Sequence, residues 1–325
     1  SLEKVTVGWI AQSVASIDQK VEIVGAIMKR YPNVGWELAL LLLQPGHSSI
    51  FASAGPRYRD WELPSKTVTY GEMAQYIGAL ADMAIVSARE RPERWVSLID
   101  AGNLIPSDAR TKIFDQLMRK VRSDSWEDEE RHAIWSSLSR QIQHQRNYAD
   151  TEWSMRDDEI AQMEEIANLL EDPSDPRQHA GLFSRDVDRV FEGLHRDDHG
   201  FEEKRDNARL TAIKKVVKMG TDSVRMLIED VECPDLVGAY LAITESLDDT
   251  SIVAWLDDIS EQLQRAATCY ARNKLDSGGF EWLKSILETA DLSTEGREKL
   301  IGIVPLSKAY WTRIDSLDKH LVDAY

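Results

Sequence analysis

The chain has 325 residues, 42% of them hydrophobic and 29% charged, with a formal net charge of −17 and only two cysteines. That length buries a large core, and the composition excludes a disordered or fibrous chain. The acidic balance argues against direct nucleic-acid or membrane-surface binding, which rely on Lys/Arg footprints. Lys214, Lys215 and Lys218 share their neighbourhood with Glu202, Glu203 and Asp206.

The chain opens at Ser1 without a Met and closes within an amphipathic run, Tyr310, Trp311, Ile314, Leu317 and Leu321. It reads as a piece of a larger protein. The longest apolar run, 38–43, is far shorter than the roughly 20 residues that span a bilayer. Cys233 and Cys269 stand singly, with no CxxC and no Cys/His array, which fits a reducing, cytoplasmic setting.

Helical periodicity dominates. Met73, Ile77, Leu80, Ala84 and Ile85 follow three-and-four spacing, and Thr69 with Glu72 stands at capping-box spacing just before them. Ile113, Leu117 and Val121 form the next stripe, entered through Pro106 and Ser107. Ile252, Leu256, Ile259, Leu263 and Ala266 read as one continuous helix. Phe280, Leu283, Ile286, Leu287 and Ala290 follow, and then the terminal run. No segment alternates apolar and polar residues with β-branched enrichment, so the fold is expected to be all-α.

Short breakers join the helices: Tyr31-Pro32-Asn33, Arg91-Pro92, Ile105-Pro106, Cys233-Pro234 and Ser277-Gly278-Gly279. Helix pairs in series bury both faces only if neighbours stack, which predicts an α-α superhelix, an irregular HEAT/TPR-like solenoid of antiparallel helix pairs. About twelve to sixteen helices are expected, with pair starts near Asp222, Thr250 and Ser293 and no strict period. Two Pro/Gly-bearing stretches, 44–66 and 171–200, interrupt the pattern. The second suggests two halves, 1–184 and 185–325, stacked as one solenoid.

Few constellations carry chemistry. His195-Arg196-Asp197-Asp198-His199 offers two imidazoles and two carboxylates, ligand types that suit zinc, iron or manganese. In a helix His195 and His199 would share a face. The Glu of an HExxH arrangement is missing, and a solvated polar loop is the competing reading. The acidic doublets Asp157-Asp158, Asp248-Asp249 and Asp257-Asp258 read as helix caps and solvated faces. Cys233, beside Pro234, has no His near it in sequence to serve as a base. GxxxxGK[ST], GxGxxG and GxSxG are all missing, and no cofactor is expected. Most of the ten tryptophans fall on or beside the stripes, as wedges between helices. Trp61 lies outside any stripe beside Arg57 and Tyr58, an interface-type cluster or an inward-folded loop anchor.

Several stretches resemble a known family. They are Pro56-Arg57-Tyr58-Arg59-Asp60-Trp61 with Val68-Thr69-Tyr70, and Pro92-Glu93-Arg94-Trp95 leading to Ile105-Pro106-Ser107-Asp108-Ala109-Arg110. Tyr148-Ala149-Asp150 with Trp153, Asp175-Pro176 with His179 and Leu182-Phe183, and Val304-Pro305-Leu306 with Tyr310-Trp311 through Val322-Asp323-Ala324-Tyr325 complete the set. Together they are similar to the helical-repeat region of very large bacterial proteins of unassigned function. Some of these look like STAND-type NTPases of antiphage defence systems. The resemblance implies a region that senses or binds a partner while nucleotide chemistry sits in another domain.

The expected function is thus a non-enzymatic interaction or sensor segment with a protein partner of complementary positive charge. Asp257, Asp258 and Glu261 would form a solvent-facing acidic helix surface, and Arg57, Tyr58 and Trp61 an aromatic anchor. The rival is a metal-dependent hydrolase built on His195, Asp197, Asp198 and His199.

Overall fold

The computed structural model describes residues 3, 6–9, 15–45, 68–123, 126–149, 151, 154–185, 187, 198–244, 247–306 and 308–314. Among them every regular element is helical and no strand occurs. None of the described helices is long and apolar enough to cross a membrane. The chain divides into two compact units, Ser1–Glu171 and Asp172–Tyr325, meeting at the start of the Pro/Gly-bearing stretch 171–200.

The first unit holds α1 (Ile17–Arg30), α2 (Pro32–Leu42), α3 (Tyr70–Ala88), α4 (Pro92–Asp100), α5 (Ser107–Ser123), α6 (Asp128–Asn147) and α7 (Asp157–Leu170). A 3-10 turn, Gly102–Leu104, links α4 to α5. The capping box before α3 forms as its spacing predicts. Thr69 Oγ1 accepts from the Glu72 amide at 3.2 Å, and the Thr69 amide donates to the Glu72 carboxylate at 3.0 Å. Pro32 and Pro92 stand at the starts of α2 and α4, where a missing N–H costs nothing. Ile77, Leu80, Ala84 and Ile85 of the α3 stripe are buried, as are Ile113 and Leu117 of α5.

Packing in this unit follows an alternating rule. Helices α1, α3, α5 and α7 are successive neighbours, α4 packs on α6, α6 also packs on α7, which follows it, and α2 rests on α1 and α3. Trp36 and Trp95 are buried, as the wedge reading of the tryptophans predicts. The Arg94 guanidinium lies 4.9 Å from the Trp36 ring centroid and donates to the Ser87 carbonyl at 3.2 Å. A buried ion pair, Arg110 with Glu159, ties α5 to α7.

The second unit begins with a 3-10 segment, Pro176–Phe183, followed by α8 (Phe201–Met219), α9 (Thr221–Asp230) and α10 (Pro234–Thr244). Then come α11 (Asp249–Val253), a 3-10 turn (Ala254–Asp257), α12 (Glu261–Thr289), α13 (Thr294–Gly302) and α14 (Lys308–Ile314). Helix α12 is the hub: α9, α10, α11, the 254–257 turn and α13 all pack on it. Its closest neighbour is α10, where Gly238 meets the α12 backbone. A Cβ at position 238 would stand 2.1 Å from the Ala266 carbonyl oxygen, so only glycine permits this crossing.

One expectation needs correction. The stripe Ile252, Leu256, Ile259, Leu263, Ala266 is not one helix. It passes through α11, the 254–257 turn and the start of α12, and Ile259 is fully exposed at 102% while the other four are buried. The physical reason is a chain of polar caps. The Ser260 amide donates to Asp258 Oδ1 at 3.0 Å, and Ser260 Oγ accepts from the Leu263 amide at 3.5 Å, restarting the helix at Glu261. The short breaker expected at Ser277-Gly278-Gly279 does interrupt the helix, within a single residue. Gly279 takes φ 61° and ψ −155°, outside the helical region, so α12 consists of two helical arms meeting at a kink there.

Candidate functional site

The sequence-predicted site residues fall into three groups. Arg57, Tyr58 and Trp61 lie outside the described residues, as do His195 and Asp197 of the histidine cluster. Asp198 and His199 are exposed in the turn before α8, where Gly200 at φ 87° occupies the cap position. His199 is therefore in a turn, and Gly200 stands at the start of the following helix. No group of three or more His, Cys, Asp or Glu among the described residues is arranged to hold a metal ion.

Asp257, Asp258 and Glu261 do lie close together, but not on one helix. Asp257 ends the 254–257 turn, Asp258 follows it in the link, and Glu261 opens α12 with its side chain in solvent. Both aspartates are structurally engaged. Asp257 Oδ2 accepts from the Ser293 amide at 2.7 Å and Oδ1 from the Ser293 hydroxyl at 2.6 Å. Ser293 Oγ in turn accepts from the Gly296 amide at 3.0 Å, capping α13. The carboxylate sits so close that a Cβ on Gly296 would be 2.5 Å from both its oxygens.

Asp258 faces the other way. Its Oδ2 accepts from Arg225 Nη2 of α9 at 2.8 Å, and its backbone carbonyl accepts from Gln264 Nε2 of α12 at 2.6 Å. The Ser260 amide, joined by the Arg225 charge, holds the Asp258 carboxyl below the ordinary carboxylate range. Lys299 Nζ of α13 donates to the Leu256 carbonyl at 3.1 Å. The expected free acidic surface is thus a braced corner, fastened to α9, α12 and α13 at once. Asp257 is exposed, as expected, and Asp258 half-buried, but both carry these contacts, so changing both to Lys would dismantle the corner.

This corner presents Ile259 between Asp258 and Ser260. An isolated exposed apolar side chain is ordinary on a protein surface. Ile259 differs because the backbone carrying it is immobilised by hydrogen bonds on both sides. Glu261 projects into solvent one turn position away, so the corner offers one apolar tip beside one free carboxylate. Such a tip has little conformational entropy left to lose on binding.

A second polar centre escaped the sequence reading. Asp249, taken there as a helix-start carboxylate, gathers donors from both arms of the kinked α12. Tyr270 donates its hydroxyl to Oδ1, Trp282 Nε1 donates to Oδ2 at 2.6 Å, and Lys274 Nζ lies 3.3 Å from Oδ1. Tyr270 and Lys274 precede Gly279 and Trp282 follows it, so one carboxylate bridges the kink. Burial pushes the Asp249 carboxyl up, but the Tyr270 and Trp282 hydrogen bonds and the Lys274 charge outweigh it and leave it below its ordinary value. Burial and the facing Asp249 push the Tyr270 hydroxyl well above its ordinary range. The acceptor is saturated by donors, and the arrangement is structural. Its only local trace in the sequence is Tyr270 and Lys274 at i, i+4 on one helix face, which does not reveal Asp249 as their acceptor.

Cys233 donates its amide to the Phe183 carbonyl at 3.0 Å, joining the start of α10 to the 3-10 segment, and both cysteines are free thiols. His179 is lowered below its ordinary value by burial, with the Lys215 charge adding to it. Neither group has a nucleophile–base partner beside it in the described structure. No protein-family model, curated protein or solved structure matches the chain.

Proposed function

We propose that the chain is a non-enzymatic protein-interaction or sensor segment of a larger bacterial protein, its helices stacked as an irregular α-α superhelix. The observation that carries this reading is the braced corner. An apolar side chain is held fully exposed there by a turn fastened to three helices, with Glu261 beside it. An apolar contact held in place before binding has less ordering entropy to lose when a partner covers it. The net charge of −17 favours a partner with a basic rim, which would raise the association rate more than the affinity.

Two further observations support it. The alternating neighbour pattern of α1, α3, α5 and α7, with α4 on α6, is the packing that serial helix pairs adopt in repeat proteins. The resemblance to the repeat region of STAND-type NTPases adds a context in which this segment receives a signal and a separate domain turns over nucleotide. A reducing, cytoplasmic location suits the two free thiols.

Photo-crosslinking tests the corner in the full-length parent. A photoreactive amino acid at position 259 should give a discrete adduct that a probe at exposed Glu203 does not, and Glu261→Lys should weaken it. Equal labelling from both positions would refute the corner as an interface. Metal analysis tests the rival reading independently. Stoichiometric zinc, iron or manganese, lost on His195→Ala with His199→Ala, would replace this proposal with a metal-dependent hydrolase.

A further inference from the structure

The corner that carries Ile259 is part of a closed ring. From it the chain runs along the first arm of α12 (261–278), turns at Gly279 and returns along the second arm (280–289) to Ser293. The ring is shut by two hydrogen bonds, which the Ser293 amide and hydroxyl donate to the Asp257 carboxylate. A straight α12 would put its ends about 42 Å apart at about 1.5 Å per residue. The two links, 257–261 and 289–293, reach about 28 Å together when fully extended, and the Asp257 side chain adds a few ångström. The Asp257–Ser293 contact therefore exists only while α12 is bent. The bend depends on Gly279, whose positive φ disfavours a side chain.

The segment that ends at Asp257 also fastens the apex of the bend. Asp249 opens α11, and the 254–257 turn follows α11 without a break. Ile252, Val253, Trp255 and Leu256 are buried, and α11 and the turn both pack on α12. At one end of this strap Asp249 accepts from Tyr270 on the first arm and from Trp282 on the second. At the other end Asp257 holds Ser293, and Asp258 and Ile259 follow directly. Each arm is stiffened by buried side chains, Leu263 and Tyr270 on the first, Leu283 and Ile286 on the second. Close packing transmits a change at the apex along an arm instead of absorbing it.

We propose that the 249–257 strap couples the bend of α12 to the Ile259 corner, with Asp249 as a positioning residue, so that apex and corner tighten and loosen together. Opening the arms draws Ser293 away from Asp257, and a freed Asp257 leaves the turn before Ile259 without its hold on α13. By linkage the effect is reciprocal: a partner that grips the corner also stiffens the bend. The strap then carries a contact at Ile259 to the second arm, where the Arg313 guanidinium of α14 lies 5.3 Å from the Phe280 ring centroid. Its use as a relay rests on the interaction reading above; the coupling itself does not.

Native-state hydrogen exchange on the 325-residue chain tests the coupling. Asp249→Asn should speed exchange of the Ser260, Leu263, Ser293 and Gly296 amides by roughly tenfold, and the milder Trp282→Phe by a smaller factor. Val216→Ala, in the core face of α8 against α9 and α10, is the control for general loss of stability. In the opposite direction Asp257→Asn should speed exchange of the Trp282 indole N–H, a signal assigned by its loss in Trp282→Phe. Two results would each overturn the coupling: corner amides that respond no more to Asp249→Asn and Trp282→Phe than to Val216→Ala, once urea stabilities are matched, or an indole signal unmoved by Asp257→Asn. An absent crosslink from position 259 with the exchange coupling intact counts against the interaction reading alone and leaves the strap standing.

Discussion

Replacing Glu159 by Gln should destabilise the first unit by about 3 kcal/mol, because it removes half of a buried ion pair while keeping its shape. Glu159 is 2% exposed and Arg110 10%. Arg110 Nε and Nη2 donate to the two carboxylate oxygens at 3.0 and 2.6 Å, and Ser107 Oγ donates to Oε1 at 2.8 Å. The Arg156 amide donates to Oε2 at 3.1 Å. Every neighbour of the carboxylate is thus a donor. A Gln amide nitrogen must face one of them, and the Arg110 cation loses its counter-charge. Removing one partner of a buried pair costs about 3–5 kcal/mol, and the acceptor oxygen that Gln retains places this case at the lower end. For a unit of this size that lowers the thermal midpoint by about 6–12 °C.

The pH dependence follows from the same contacts. Burial pushes the Glu159 carboxyl up, but the Arg110 and Ser107 hydrogen bonds and the Arg156 amide outweigh it, and its pKa lies below the ordinary value. Its contribution is therefore complete above the unfolded value of about 4.3 and fades as pH falls through the lower native value. Urea unfolding of wild type and Glu159→Gln should differ most at neutral pH and converge below about pH 4. Arg110→Met completes a double-mutant cycle, and the coupling should exceed about 2 kcal/mol. The Gly102 and Ile105 carbonyls, which accept from Arg110 Nη1 at 3.0 and 3.2 Å, lose a donor in that variant whatever stands at 159. A coupling below about 0.5 kcal/mol, or a stability difference independent of pH, would refute the assignment of the pair as a mutual anchor.

Other substitutions probe the second unit and the helix ends. Asp249→Asn should cost about 2 kcal/mol in denaturant unfolding, since an amide cannot accept from Tyr270, Trp282 and Lys274 together. Gly238→Ala should be among the most damaging single changes, above about 3 kcal/mol, because the new methyl meets backbone and not a movable side chain. Gly78→Ala, inside α3 with open space around the built Cβ, should instead raise the midpoint, contributing roughly 0.5–1 kcal/mol. Gly279→Ala places a side chain at φ 61°, ψ −155° and should cost about 1–3 kcal/mol, read by circular dichroism during thermal unfolding.

Local signals were legible in this sequence where each acted within one turn of helix. The Thr69/Glu72 capping box, Pro32 and Pro92 at helix starts, and the buried residues of α3 and α5 all depend on neighbours three or four residues away. The 252–266 stripe failed for the same reason in reverse. Its spacing is helical throughout, yet Ile259 leaves the core because Asp258 and Ser260 bind their own backbone and Asp257 reaches Ser293 across 36 residues of sequence. Short polar side chains offer the backbone an alternative to the helical ladder. Periodicity counts apolar positions and is blind to that competition.

The acidic doublets carry the argument further. As sequence, Asp248-Asp249 and Asp257-Asp258 look alike, two carboxylates near a helix end. In the fold Asp249 holds two arms of a kinked helix, Asp257 holds the Ser293 cap of α13 and Asp258 pairs with α9, each through a partner more than 20 residues away. A carboxylate in a strongly negative chain needs a reason to be held close to other elements, and the reason is always a donor that local pattern does not reveal. What an acidic helical chain shows in its sequence is which residues could be spent on solubility; which of them instead fasten the structure depends on where the arginines, hydroxyls and indoles arrive. Here those carboxylates leave the exposed tip of the corner to a single isoleucine, which the periodicity had assigned to the core.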